Sequence, residues 1–321
     1  MSGRLKLDLA LLAALAFAGL AYPHLFPGVL TVAISVLLFA GWATAWDLLG
    51  GWAGQVSLGH AAFVGLGAFV VAIGQQSYGL APWFSMPLAM LAAAALAWSW
   101  GRITFGLHGP YFTLSTIAVA EILRLVAINE EWLTGGATGV FIATLPEPFG
   151  IDLFSRLTQY HLALAFAVVT VGLVALLSHS RFGYQLRAVR EDEDSAMAAG
   201  IDPARVKLRA FMLSAALTAA GGGIYGIFLS FLEPHVLFYL LLSIQIALTA
   251  IIGGRGTVWG ATVGAVVLVG AGEVFRTAFA EANLLIYGLL ILIVVLFLPR
   301  GIIGEIARRM TRRRYARSAQ G

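Results

Sequence analysis

The chain has 321 residues, 60% of them hydrophobic and only 11% charged, with a mean hydropathy of +0.89. A water-soluble domain carries about 25% charged residues, so most of this protein is embedded in lipid. Zero cysteines exclude disulfides, thiolate metal sites, iron–sulfur clusters and cysteine nucleophiles, and the net charge of +4 sits in the gaps between apolar runs, where membrane topology explains it and nucleic-acid binding does not.

Apolar runs predict helices over 7–22, 28–48, 57–75, 82–104, 111–128, 160–179, 208–232, 239–253, 257–279 and 283–299. The fold class is all-α, a polytopic membrane protein of about ten transmembrane helices, and the whole of 1–321 is one membrane domain. With both termini in the cytoplasm, 17 of the 20 Lys and Arg residues fall in inner segments, as the positive-inside rule requires. The first run, behind Arg4 and Lys6, resembles a signal peptide and is expected to stay as an uncleaved helix.

Between the second and third helices, Gly50 to Phe63 is rich in small residues, which permit close helix packing or irregular backbone at membrane depth. Gln55, Ser57 and His60 lie here as candidate lining of a polar path, or as groups bonded to neighbouring backbone. The spacing Gly54-x-x-Ser57-x-Gly59 is not the Gly-x-Ser-x-Gly of a nucleophile elbow, so an intramembrane hydrolase using Ser57 and His60 ranks low. Thr113, Ser115 and Glu121 extend the candidate path along the fifth helix, and Gln245 and Thr249 along the eighth.

Glu121 and Arg124, three residues apart, share one helix face, and Glu273 and Arg276 repeat the pattern in the ninth helix. A lone charge at mid-bilayer costs about 2.5–3.5 kcal/mol on insertion scales, so each pair is expected to be a structural ion pair facing protein or water. The outer loop 129–139 reads as a docking surface or a turn. Gly222 with Gly226 and Gly260 with Gly264 form small-xxx-small faces for tight helix contact. The eighth run, 239–253, is short for a full span and is followed by Gly253, Gly254 and Gly256.

Residues 180–209 stand apart as the only sizeable soluble element, dense in both charge signs. The spacing of Leu186, Val189, Met197 and Ala198 predicts one or two short amphipathic helices, Gly200 ending one and Asp202-Pro203 starting the next. Such a segment docks into a partner's groove. The run Glu191-Asp192-Glu193-Asp194 argues against a role on anionic lipid, whereas the tail 308–317 is basic and suits it.

At these residues the sequence resembles permease subunits of bacterial branched-chain amino-acid ABC importers, of the LivM type. The likeness is carried by GWAGQVSLGHAAF (51–63), GPYFTLSTIAVAEILRLV (109–126), LTGGATGV (133–140), SRFGYQLRAVREDEDSAMAAGI (180–201), KLRAFMLSAALTAAGGGIYG (207–226), IIGGRGTVWGATVGA (251–265) and LPRGI (298–302). The resemblance implies a compact importer bundle in the bacterial inner membrane. Its implied partners are a second homologous permease, two cytoplasmic ABC ATPase subunits and an extracytoplasmic solute-binding protein, with no cofactor or metal. Opposite sidedness of helices two to five and seven to ten permits an inverted repeat.

By the same resemblance, Ala198, Ala199, Gly200 and Ile201 match the core of the coupling motif. Arg187, Arg190, Glu191, Asp192 and Asp194 are the charged contacts expected around it, while Ser195-Ala196-Met197 departs from the family's Glu-Ala-Ala opening. The two lysines, Lys6 and Lys207, follow Leu5 and Val206, so no P-loop is present, and ATP is then the partners' task. The rival reading is a self-sufficient secondary transporter with Glu121, Glu273 or His60 as proton carrier.

Overall fold

The computed structural model describes residues 3–105, 111–142, 150–278, 288 and 301–305. Helices α1 (Gly3–Leu25), α2 (Leu30–Asp47), α3 (His60–Tyr78), α4 (Pro82–Thr104) and α5 (Tyr111–Asn129) come first, then the short α6 (Glu131–Thr134) and strand β1 (Val140–Phe141). After α7 (Arg156–Ser178) come α8 (Arg181–Glu191) and α9 (Glu193–Ala198), then the long α10 (Pro203–Leu229) and strand β2 (Phe231–Leu232). Then come α11 (Pro234–Leu237), α12 (Leu240–Gly253) and α13 (Gly260–Ala278). Among the described residues eight segments are long and apolar enough to cross a bilayer, which makes the chain an all-α polytopic membrane bundle. The expected tenth helix, 283–299, apart from residue 288, and the basic tail lie outside the described residues.

α10 is the central post, packed on α2, α3, α4 and α7. Lipid is as apolar as leucine, so close fit rather than hydrophobicity joins these helices. The small residues provide it: a Cβ on Gly67 of α3 would strike the Ala219 carbonyl, and one on Gly222 the Val64 backbone. The second small-residue face works alike, since a Cβ on Gly264 would strike the Thr249 carbonyl and one on Gly260 the Gly254 carbonyl. Near the start of α10, Phe211 is fully buried among Phe63, Trp100, Phe105 and Phe112, with ring centroids 5.6, 5.7, 5.9 and 5.7 Å away.

Several boundaries differ from the sequence expectation for local reasons. α3 starts at His60 rather than 57: the chain leaves α2 through a π turn, Leu48–Trp52, and then runs irregularly to Gly59. α10 starts at Pro203 rather than 208, with Pro203 in its first turn and the Asp202 carboxylate accepting the Arg205 N–H at 3.1 Å. Pro203 therefore opens the spanning helix itself, not a second amphipathic one, and both short helices precede Gly200. α12 has 14 residues, about 21 Å of helix, but continues α11 into a 20-residue span, Pro234–Gly253.

The two-residue strands were not expected. β1 and β2 pair antiparallel, Val140 opposite Leu232 and Phe141 opposite Phe231, so the segments after α5 and α10 share one end of the bundle. The glycines of 135–139 make the preceding turn possible, with φ of 70° at Gly135, 57° at Gly136 and 72° at Gly139. At the opposite end Asp8 of α1 accepts the Trp259 indole N–H at 3.0 Å and faces His179 Nε2 at 3.4 Å. That end also carries α8 and α9.

Candidate functional site

Two surfaces carry the residues singled out by sequence. The first is the α8–α9 hairpin. Leu186 and Val189 of α8 are buried and pack in one cluster with Leu48, Leu49 and Trp52 of the π turn. Arg187 lies over the Trp52 ring at 5.6 Å and donates to the Ser178 carbonyl at 3.2 Å, while Arg190 donates to the Gly51 carbonyl at 3.1 Å. α9 is held by Asp192 at its N-cap, whose carboxylate accepts the Ser195 N–H at 2.6 Å, and by an ion pair from Glu193 to Lys207 of α10. The hydrogen bonds from Ser195 hold the exposed Asp192 carboxyl below the usual carboxylate range.

Only Ala196 of α9 is buried, whereas Met197, Ala198, Ala199 and Gly200 are exposed, as are Glu191, Asp192 and Asp194. The amphipathic spacing expected for 197 and 198 is thus corrected by one turn position: Ala196 faces inward and Met197, 53% exposed, faces out. Gly200 has φ 81° and closes α9. The result is a short helix and turn, firmly seated on the bundle, that presents a small apolar tip ringed by acids.

The second surface is polar lining within the bundle. His60, fully buried, lies 3.2 Å from Ser57 Oγ through Nδ1 and 2.8 Å from Ser214 Oγ through Nε2. Ser214 gives its one hydroxyl proton to the Ala45 carbonyl at 2.6 Å, so Nε2 is the donor and Nδ1 accepts from Ser57. Ser57, His60 and Thr249 are buried, and Thr249 donates to the Gln245 carbonyl. Gln55, Thr113, Ser115 and Gln245 are partly exposed. Thr113 donates to the Val56 carbonyl at 2.9 Å and Thr116 accepts the Leu58 N–H at 2.9 Å, so α5 holds the irregular 53–59 segment from one side.

Towards the other end of α5, Arg124 binds both oxygens of Glu121, its Nε donating at 2.8 Å, and also donates to His235 Nδ1 at 3.1 Å. With Tyr239 these groups line an open pocket of about 540 Å³. Glu121 is half-exposed on a helix otherwise bordered by exposed Leu114, Ile122, Leu125 and Val126. α13 carries Glu273 and Arg276, whose side chains lie outside the described residues.

A family model described as the permease component of a branched-chain amino acid transport system matches residues 28–295. The chain belongs to this family. The permease is 28% identical to the high-affinity branched-chain amino acid transport system permease protein LivM of Salmonella typhimurium, over 93% of this chain and 75% of that protein. It is 27% identical to the permease protein BraD of Pseudomonas aeruginosa over 82% of this chain and 90% of that one. The permease protein LivH of S. typhimurium is 28% identical over 68% of the chain. These relatives are transport subunits rather than enzymes, and this permease is likewise a multi-pass membrane transport component. No solved structure matches it.

Sequence reading missed Ser214, Ser243 and Thr116, each of which ties α3 or its approach to another helix: Ser243 accepts the Ala61 N–H at 2.8 Å. It also missed Asp47, buried at the end of α2 and accepting the Gly256 N–H at 2.9 and 3.0 Å. A single acid closing an apolar run was the available signal.

Proposed function

We propose that this permease forms one half of the translocation path of an ATP-driven importer for branched-chain or related amino acids. A second homologous permease supplies the other half, two ABC ATPases drive it from the cytoplasm, and an extracytoplasmic solute-binding protein delivers the solute. The observation that carries the reading is the α8–α9 hairpin: a fixed base and an exposed tip at Met197 to Gly200 fit a lever that receives motion from a soluble partner. On this reading 181–209 is the coupling loop of a single permease domain. Arg187, Arg190, Glu191, Asp192, Asp194, Ala198, Ala199, Gly200 and Ile201 couple it to the ATPase.

The charge bias then puts the hairpin and both termini in the cytoplasm. The path runs along α5, where Glu121, Arg124 and His235 would be badly solvated by lipid and so require water or a second permease beside them. Thr113, Ser115, Gln55 and Gln245 border that face, and Ser57, His60 and Thr249 support it from within. The test is gentle purification from the native membrane followed by reconstitution. Recovery of a second permease and ATPases, with ATP-dependent leucine uptake into proteoliposomes, is expected. Uptake by this chain alone under a proton gradient would overturn the proposal in favour of a secondary transporter.

A further inference from the structure

Arg190 sits on the coupling hairpin but points away from its exposed tip. It follows Leu186 by one helical turn, and its side chain, a third exposed, divides its guanidinium between the Gly51 carbonyl at 3.1 Å and the exposed Glu191 carboxylate at 2.9 Å. Gly50 and Gly51 lie in the π turn that ends α2, where the last carbonyls have no helical N–H to accept. The neighbouring Gly50 carbonyl is taken by Arg255 at 2.6 Å, and Asp47, one turn earlier, holds the Gly256 N–H. Three chain segments thus meet in one polar node: the end of α2, the coupling helix α8 and the link between α12 and α13.

The node has no slack. A Cβ on Gly256 would lie 2.6 Å from Arg190 Nη1 and 3.2 Å from the Gly51 carbonyl oxygen, and one on Gly54 would lie 2.9 Å from Arg190 Cγ. A Cβ on Gly51 would strike the Asp47 carboxylate and come 2.5 Å from the Gly256 nitrogen. The apolar contacts of Leu186 and Val189 seat α8 yet by themselves leave its direction over the π turn open, because they are non-directional. A charge-assisted bond to a fixed carbonyl does not. Beyond Gly51 the chain runs through 53–59 to the Val56 carbonyl and the Leu58 N–H, both bonded to α5 through Thr113 and Thr116. α5 carries Glu121 and Arg124.

We propose that Arg190 is a positioning residue: it pins the coupling helix to the end of α2, and the strut Arg190, Gly51, residues 53–59, Thr113 carries movement of the hairpin to α5. Among the residues that couple the loop to the ATPase, Arg190 acts from inside the permease, behind those that touch the partner. The proposal rests on the reading of 181–209 as the coupling loop and adds the route by which that loop reaches the path.

The experiment uses the whole transporter, with its second permease and ATPases, in proteoliposomes, and measures ATP hydrolysed per leucine imported. Absence of ATP-driven uptake by the unmodified complex would remove the importer reading itself, before any variant is considered. With uptake present, Arg190→Ala is expected to assemble with its ATPases and raise the ratio by about fivefold or more, the range of an inter-site coupling. Arg190→Lys, which keeps one donor and the charge, is expected to fall between. Thr113→Val breaks the far end of the strut and is expected to raise the ratio too, and the double variant to be no worse than Arg190→Ala alone, since both cut one connection.

A wild-type ratio in Arg190→Ala would overturn the proposal. So would loss of ATPase subunits with an unchanged ratio, which marks a direct contact. Should Arg190→Ala not accumulate, wild-type ratios in both Arg190→Lys and Thr113→Val would overturn it equally.

Discussion

Gly200 offers a way to disturb the coupling turn without touching the bundle. Its φ is 81°, a left-handed conformation that costs an L-residue about 1–2 kcal/mol, yet a Cβ built there meets nothing within 4 Å. Gly200→Ala therefore carries the backbone cost with no steric one. A cost of that size reduces the correctly formed turn by a factor of about 5–30 relative to wild type. The turn closes α9, whose own cap and ion pair sit at its other end, so the loss stays local. In proteoliposomes holding the whole transporter, initial leucine uptake is expected to fall several-fold in Gly200→Ala, while the amount of folded permease and its unfolding temperature stay as in wild type. Gly200→Asn, a side chain better tolerated in this conformation, is expected to retain more uptake than Ala. Equal uptake by wild type and Ala, or less uptake by Asn than by Ala, would refute the reasoning, because neither outcome fits a cost set by backbone conformation.

Phe211→Ala removes the ring at the centre of four aromatic neighbours and is expected to destabilise the bundle by about 3–5 kcal/mol, read as a lower unfolding temperature in detergent. Gly222→Val drives a side chain into the Val64 backbone, so α3 and α10 must part; little folded permease should be recovered, and wild-type yield would contradict the packing described. Ser214→Ala leaves His60 Nε2 and the Ala45 carbonyl without their partner in a buried site, a loss of about 1–3 kcal/mol measurable by thermal unfolding. Asp192 is ionised and capping above the ordinary carboxylate pKa, and the cap is lost only as pH falls through its lowered value. Hairpin-dependent uptake should accordingly be insensitive to this group from about pH 8 to 5, with Asp192→Ala impaired at neutral pH and Asp192→Asn near wild type.

The membrane character and the order of the described spanning helices were legible in the sequence, because apolar length and charge distribution act locally along the chain. So were the tight faces at Gly222 and Gly264, since only small residues let backbones approach. The family resemblance rested on these motifs and is matched by the relatives found.

Tertiary structure alone decided where each polar side chain points. Ser57 and His60 read as path lining or as groups bonded to neighbouring backbone, and only the fold supplied Ser214 as a partner of His60 and Trp46 as the donor to the Ser57 carbonyl, because Ser214 lies 154 positions from His60 and no local pattern announces that distance. The β1–β2 pair escaped notice since two-residue strands are too short to display a period. The π turn and the meeting of Asp47, Gly51, Arg190 and Gly256 are likewise products of packing. A sequence states which groups must be satisfied in lipid, and the folded bundle chooses the partners that satisfy them.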